Sequence, residues 1–227
     1  MPDDSPESAP AHVRNPPCDV IDGPSSRHGD RLACDPLVVG DLRDDSTGVP
    51  CARGTADLGT HRGFVRGEPV SVRLCRVRGF PSTSPESVPG STFYVPGARG
   101  DVIVNARVSA VVLALVKAAR DSGLDLSATS SFRTARHQRG LCRSDPACLD
   151  GEYTYVAPPG WSNHQLGVAI DFAGTDVRGG RSCVRNRAID RRSRVWRFLE
   201  HRARRFGFQQ YAAESWHWDA AMGHSRC

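Results

Sequence analysis

The run Val168-Ala169-Ile170-Asp171-Phe172 places a carboxylate inside an apolar, strand-like stretch. Burying an unpaired charge is very costly, so such a strand can enter a core only where the chain supplies a positive partner. That demand constrains the fold more tightly than any other feature of the sequence. His164 lies just upstream in Trp161-Ser162-Asn163-His164, and His217 lies far downstream in Ala212-Ala213-Glu214-Ser215-Trp216-His217-Trp218. A fold that answers Asp171 must bring such distant segments together.

The bounds on the rest of the chain are broad. At 227 residues it has room for one ordinary domain, or one domain plus an extension. A hydrophobic share of 39% with 24% charged residues excludes a wholly disordered chain. The longest apolar stretch, Val111–Val116, is far short of a membrane span, so none is expected. No basic-then-apolar leader opens the chain, leaving either an intracellular protein or one whose leader is absent from this sequence. The eight cysteines favour the second choice: Cys18, Cys34, Cys51, Cys75, Cys142, Cys148, Cys183 and Cys227. None forms a C-x-x-C pair, and an even, scattered set suits disulfides in an oxidising compartment. Between Cys142 and Cys148, Asp145-Pro146 favours a turn, so these two are expected to bond.

Charge is uneven. Residues 1–50 hold ten acidic and four basic side chains, a net of −6 that leaves +11 for the remainder. Ten arginines fall between Arg181 and Arg205, a density that raises the question of nucleic acid. The same region reads as a helix, however, with Trp196, Leu199, Ala203 and Phe206 on one stripe and arginines on the solvated face. No nucleic-acid partner is expected; attraction to an anionic cell wall fits the charge better.

Residues 1–62 are rich in Pro, Asp, Ser and Gly without helical or strand period, and read as an acidic N-terminal extension. From residue 63 the pattern tightens into a domain running to 227. Val70, Val72, Leu74 and then Val77 mark a strand with a bulge, followed by a loop at Pro81–Ser91. Val108, Val111, Val112, Leu115, Val116 and Ala119 form one face of a helix stopped by Gly123. Leu124, Leu126 and Ala128 alternate as a strand, and Thr134–Gly140 makes a short polar helix before the cysteine-bearing loop. Further strands are expected around 167–172 and 215–219. Helices and strands in mixed order, without a repeated βαβ unit, define an α+β protein.

The chemistry gathers on four residues. Two histidines and one carboxylate, His164, His217 and Asp171, suit zinc and leave a fourth position open, the pattern of a catalytic site. A bound dication would also compensate the buried Asp171. Glu214 is then the natural general base, taking a proton as water attacks a carbonyl. Spacing alone makes this a moderately specific signal.

Three motifs in order add to it. Ser162-x-His164-x-x-Gly167-x-Ala169-x-Asp171, Glu214-x-Trp216-His217, and Ser130-x-Phe132-Arg133-Thr134-x-x-x-Gln138 together resemble the VanY-type zinc D-alanyl-D-alanine carboxypeptidases. These belong to a wider group that includes lysostaphin-like enzymes, the dipeptidase VanX and the hedgehog signalling domain. The resemblance spans roughly residues 65–227. It implies a hedgehog/D,D-peptidase-like fold: a small, mainly antiparallel sheet with flanking helices, stabilised here by disulfides.

It further implies Zn2+ held by His164, Asp171 and His217, with Glu214 as base and Arg133 stabilising the developing oxyanion or anchoring substrate. Gln138 and Ser162 either contact substrate or brace the local structure. Trp216 and Trp218 are expected as walls and core, and His137 and His224 as surface residues. The family's last motif often continues with Arg and Tyr, where this chain has Asp219 and Ala220, and its arginine motif commonly carries Tyr at the position of Phe132.

The implied activity is extracytoplasmic, secreted or cell-wall associated, and cleaves the terminal D-Ala-D-Ala bond of peptidoglycan stem peptides, with the protein acting as a monomer. The same metal site serves L-Ala-D-Glu endopeptidases and D,D-dipeptidases, and a non-catalytic zinc-stabilised cell-wall binding domain is the alternative outside the enzyme class.

Overall fold

The structure is a computed structural model. It describes residues 46–151, 155–178, 181–189, 191 and 193–220, except for the side chains of 174–178 and 181–188. Cys18, Cys34, Cys227, His224 and the side chain of Cys183 lie outside the described residues. All described residues fall in one compact unit, Leu32–Cys227.

Two antiparallel sheets carry the fold, with helices packed on them. The first orders its strands β1-β2-β3, where β1 is Ala56–Val65, β2 Glu68–Pro81 and β3 Asp101–Asn105. Val65 pairs Glu68, so Arg66-Gly67 is a two-residue hairpin loop. Both residues have positive φ, 50° and 88°, as the turn that matches strand twist requires. β1 crosses residue 62, where composition alone places the end of the extension. A Cys51–Cys75 disulfide ties the segment before β1 to β2. Sheet pairing, invisible in a polar, glycine-containing strand such as β1, carries the ordered fold further upstream than residue 63.

β2 is irregular against β3, where Val77 pairs Val102 and Pro81 pairs Asp101 so that Arg78, Gly79 and Phe80 are extra, and β1 carries a bulge of its own against β2. Asp57 pairs Cys75 and Gly59 pairs Leu74, leaving Leu58 as the extra residue. Leu74 and Cys75 are both buried, Cys75 in its disulfide with Cys51, which is the break in alternation visible in the sequence.

The second sheet orders β4 (Ser127–Ser130), β5 (Ala169–Arg178), β8 (His217–Ala220) and β7 (Phe208–Gln210), with β6 (Arg181–Ala188) also on β5. Every pairing is antiparallel. Leu124 and Leu126 belong to the approach to β4; the strand itself begins at Ser127. Asp171 therefore sits in a strand flanked by both β4 and β8, an interior position.

Helix α1, Ala106–Asp121, follows β3 directly. Asn105 caps it by accepting the Arg107 N–H, and Gly123, at φ 70°, ends it. Val108, Val112, Leu115, Val116 and Ala119 are its buried face. They join Val72, Leu74, Val77, Val102, Ile103, Ile170 and Phe172 in one core shared by both sheets. Helix α2 covers Ala135–Arg143, α3 Pro146–Leu149, α4 Asn163–Leu166 and α5 Arg194–Arg202, the last continuing as a 3-10 turn, Ala203–Phe206. Val195, Leu199 and Ala203 are buried, with Trp196 and Phe206 partly buried against the core. Arg194, Arg197, Arg202, Arg204 and Arg205 face solvent, as the helix stripe requires. Cys142 and Cys148 form the expected disulfide, joining α2 to α3.

Candidate metal centre

The site begins with one glycine. Gly167 closes α4 at φ 77°, and a Cβ there would meet the Asn105 amide nitrogen at 2.9 Å. Its carbonyl accepts the Asn105 N–H at 2.8 Å, while the Asn105 side chain donates to Leu166 O at 3.1 Å. No side chain fits this junction, and the turn it permits swings one-turn α4 back over the start of β5. His164, on α4, is thereby brought to Asp171, on β5.

His217 arrives by strand register. It is the direct cross-strand partner of Asp171 in the β5–β8 ladder, where facing side chains project from the same side of the sheet. The result is a tight triangle. His164 Nε2 is 3.2 Å from Asp171 Oδ1, His217 Nδ1 is 2.9 Å from the same oxygen, and the two nitrogens are 3.2 Å apart. His164 and Asp171 are buried and His217 partly so.

The outer ring nitrogens fix which atoms face inward. His164 Nδ1 lies 2.7 Å from Ser131 O, which can only accept, so Nδ1 carries the hydrogen. His217 Nε2 likewise donates to Asp219 Oδ1 at 3.0 Å. In the neutral rings two lone pairs then converge on a carboxylate oxygen. Three lone-pair donors at such distances repel unless a cation lies among them. In the metal-free protein a proton meets the demand. Burial opposes charge on His217, but Asp219 and Asp171 outweigh it and push its pKa up to about 10. Burial holds His164 below its ordinary value, as a neutral ligand requires. Asp171 stays ionised despite burial, because His164 and His217 pull its pKa down.

Zinc fits the same geometry. A tetrahedral ion with bonds of about 2.0–2.1 Å has ligand-to-ligand edges of about 3.3 Å, close to the three observed. Asp171 also has Arg133 Nη2 3.7 Å from its other oxygen, which completes the pairing its buried strand demands.

Glu214 and Arg133 flank the triangle. Glu214 sits in the turn before β8, its N–H donating to Tyr211 O and its carbonyl accepting the His217 N–H. Its Oε2 is 3.9 Å from His217 Nδ1, the inward nitrogen. Burial raises its pKa; His217 opposes that shift and Asp171 adds to it. Arg133 follows β4, donating through Nη1 to Gln138 Oε1 at 2.8 Å and through Nη2 to Ser130 Oγ at 2.9 Å. Its Nε is buried without a hydrogen-bond partner.

Gln138 is fully buried; one end accepts from Arg133 and the other donates to Ala157 O at 2.6 Å, so both ends brace the protein. Ser162 is the N-cap residue of α4 by position, yet its hydroxyl makes no cap bond there. Trp218 is core and Trp216 packs against the core. His137 is not a surface histidine. It is partly buried, stacked on Phe93 at 4.6 Å between ring centroids, with Nδ1 2.9 Å from Glu86 Oε1. The sequence pattern hid this because its partner lies 51 positions upstream in a loop.

Asp219 is the residue that sequence reasoning treated only as a departure. It holds His217, and Asn163 Nδ2 donates to it in turn at 3.0 Å. A signal was available: residues two apart on a strand share a face, so the Asp of His-Trp-Asp had to lie beside the histidine.

The fold and site define a zinc-peptidase type of centre, and the family comparison agrees. Residues 101–220 match the VanY family, D-alanyl-D-alanine carboxypeptidase, and the chain belongs to that family. Among solved structures it is similar to the vancomycin-resistance D,D-pentapeptidase VanY of the VanB-type cassette, a point mutant in complex with Zn(II), at 27% identity. That match covers 54% of this chain and 75% of the other, with a TM-score of 0.42. VanYB in complex with D-alanine-D-alanine is 26% identical over 54% of this chain and 74% of its own, TM-score 0.43. The L,D-carboxypeptidase DacB from Streptococcus pneumonia is 21% identical over 71% and 85%, TM-score 0.39. No curated protein matches.

Proposed function

We propose that the protein is a zinc D,D-carboxypeptidase that removes the terminal D-Ala from peptidoglycan stem peptides. The observation that carries this reading is the His164–Asp171–His217 triangle with edges of 3.2, 3.2 and 2.9 Å, each imidazole held through its outer nitrogen by an acceptor so that its inner nitrogen faces the centre. His164 Nε2, Asp171 Oδ1 and His217 Nδ1 would hold the ion. When bound, zinc supplies a Lewis acid that polarises a carbonyl and acidifies water.

The chain's own groups do the rest. Glu214, with a carboxylate whose pKa is raised by burial, takes the proton from the attacking water and can return it to the leaving amine. Arg133, fixed by Ser130 and Gln138, directs its guanidinium at the carbonyl oxygen as negative charge develops there. Gln138 serves here as a brace for Arg133. Ser162 places α4.

A non-catalytic binding domain has no use for a buried carboxylate 3.9 Å from a ligand nitrogen, which favours an enzyme. Work outside the cytoplasm is supported by the family's peptidoglycan substrate and by two disulfides, Cys51–Cys75 and Cys142–Cys148. No helix among the described residues is long and apolar enough to cross a membrane.

Mass spectrometry of products from a synthetic stem pentapeptide, with zinc present, tests the reading. Loss of one alanine is the expected result. Release of a D-Ala-D-Ala unit would make the protein a dipeptidase, and cleavage at L-Ala-D-Glu an endopeptidase.

A further inference from the structure

Glu86 is a fully buried carboxylate that the proposed mechanism does not use. It lies in the loop between β2 and β3, and it is densely bonded. Ser84 Oγ donates to Oε2 at 2.8 Å, and the Thr134 N–H donates to Oε1 at 2.9 Å. His137 Nδ1 is 2.9 Å from Oε1 and 3.2 Å from Oε2, and Thr134 Oγ1 is 3.3 Å from Oε1.

Its place in the fold gives these bonds a direction. Thr134 is the N-cap of α2, so the carboxylate occupies the end of that helix where free N–H groups favour an anion. Thr134 follows Arg133 in sequence, and Gln138, one turn into α2, holds the Arg133 guanidinium. Arg133 is anchored at its other end through its own N–H, which donates to His164 O at 3.0 Å. The arginine is thus suspended between the metal-ligand segment and α2, and Glu86 sets where α2 begins.

We propose that Glu86 is a positioning residue for Arg133: by clamping Thr134 and His137 it fixes the α2 N-terminus, and with it the Gln138 carbonyl that aims the guanidinium. The proposal rests on the role given to Arg133 above. The clamp touches none of the three candidate ligands, so it predicts an effect on substrate handling with no effect on metal.

The test is a double-mutant cycle on the full chain, with turnover of a stem pentapeptide, zinc content and melting temperature measured on each preparation. Glu86→Gln keeps an oxygen for the Thr134 N–H but removes the charge. It should lower kcat/KM about tenfold in the unmutated background. In the Arg133→Ala background it should have little further effect, with one zinc per chain throughout.

His137→Phe keeps the stack on Phe93 while deleting the ring nitrogen, and should give a smaller loss with the same dependence on Arg133. It decides the matter if Glu86→Gln does not fold. Equal losses in both backgrounds, unchanged turnover in Glu86→Gln, or a fall in zinc content would each overturn the proposal. Normal turnover in Arg133→Ala alone would instead overturn the role of Arg133 on which it depends.

Discussion

Asp171 and His217 face each other across a strand pair, and the third candidate ligand, His164, is placed by a backbone turn that admits only glycine. Arg133, on the opposite side of the same site, is held by the side chains of Ser130 and Gln138 and, through α2, by Glu86. One side of the centre is positioned by main-chain register and the other by a side-chain network. A register cannot slip by one residue without turning every side chain to the wrong face. A network can loosen one bond at a time. The metal side is therefore expected to respond to substitution in an all-or-none way, the arginine side by degrees.

The sharpest break is at the ligands. His164→Ala, Asp171→Ala or His217→Ala should each abolish stoichiometric zinc binding and, with it, turnover, whereas no single change in the arginine network should release the metal. Elemental analysis after dialysis against zinc checks this. An unmutated protein without bound metal would remove the distinction altogether.

Glu214→Gln comes next. Its carboxylate lies beside the triangle and outside it, so fold and zinc content should survive while turnover falls by about 10²–10⁴, the usual worth of a general base. The residue is buried and its pKa is raised in the folded protein. Such a group opposes folding once it ionises, so the neutral amide should not lower the melting temperature at neutral pH. A lower melting temperature with turnover retained would assign Glu214 to structure.

The difference between the two sides also explains what the sequence made legible. The metal side is written in two short motifs, although Asp171 and His217 are 46 positions apart: Gly167 must be glycine, and Asp171 must be answered by its cross-strand neighbour. The helix α1 was equally plain, since Val108, Val112, Leu115 and Ala119 repeat at helical spacing and all are buried. The arginine's direct contacts, Ser130 and Gln138, fall three and five positions away within one motif, but the layer that holds α2 is written in a long-range pair. Glu86 and His137 are 51 positions apart, and nothing local distinguishes either from a surface residue. Strand β1 was hidden for a related reason. It is mostly exposed or half-buried, so its only mark is its pairing with β2. Asp219 lay between the two cases: the motif departure was visible, but its meaning needed the strand phase.

Asp219 allows a graded effect to be sought on the metal side itself. Asp219→Asn should weaken zinc binding by about 10–100-fold without abolishing it, because the outer partner of a ligating histidine sets its tautomer and basicity. The asparagine can still accept from His217 Nε2, so the charge is lost and the orientation largely kept. Competition against a chelator of known affinity measures the change. An unaltered affinity would mean that strand register alone positions His217.

The smallest expected effect separates the two sides through their disulfides. Cys51–Cys75 closes a separation of 24 residues and belongs to the first sheet, whereas Cys142–Cys148 closes only six and joins α2 to α3. Loop-closure entropy makes the longer loop worth more, about 3 kcal/mol against about 2 kcal/mol. For a protein of this size that is about 5 °C in melting temperature for Cys142→Ser/Cys148→Ser and somewhat more for Cys51→Ser/Cys75→Ser. The location of the second bridge adds a functional difference. Cys142 lies on α2 one turn beyond Gln138, so releasing it should loosen the helix that holds Arg133 and raise KM modestly while zinc content stays at one per chain. Cys51→Ser/Cys75→Ser should lower the melting temperature further and leave KM unchanged at temperatures where the protein remains folded. If the shorter bridge proves silent in KM, α2 is held firmly enough by Glu86 at its N-terminus, and the side-chain network is stiffer than its long-range wiring suggests.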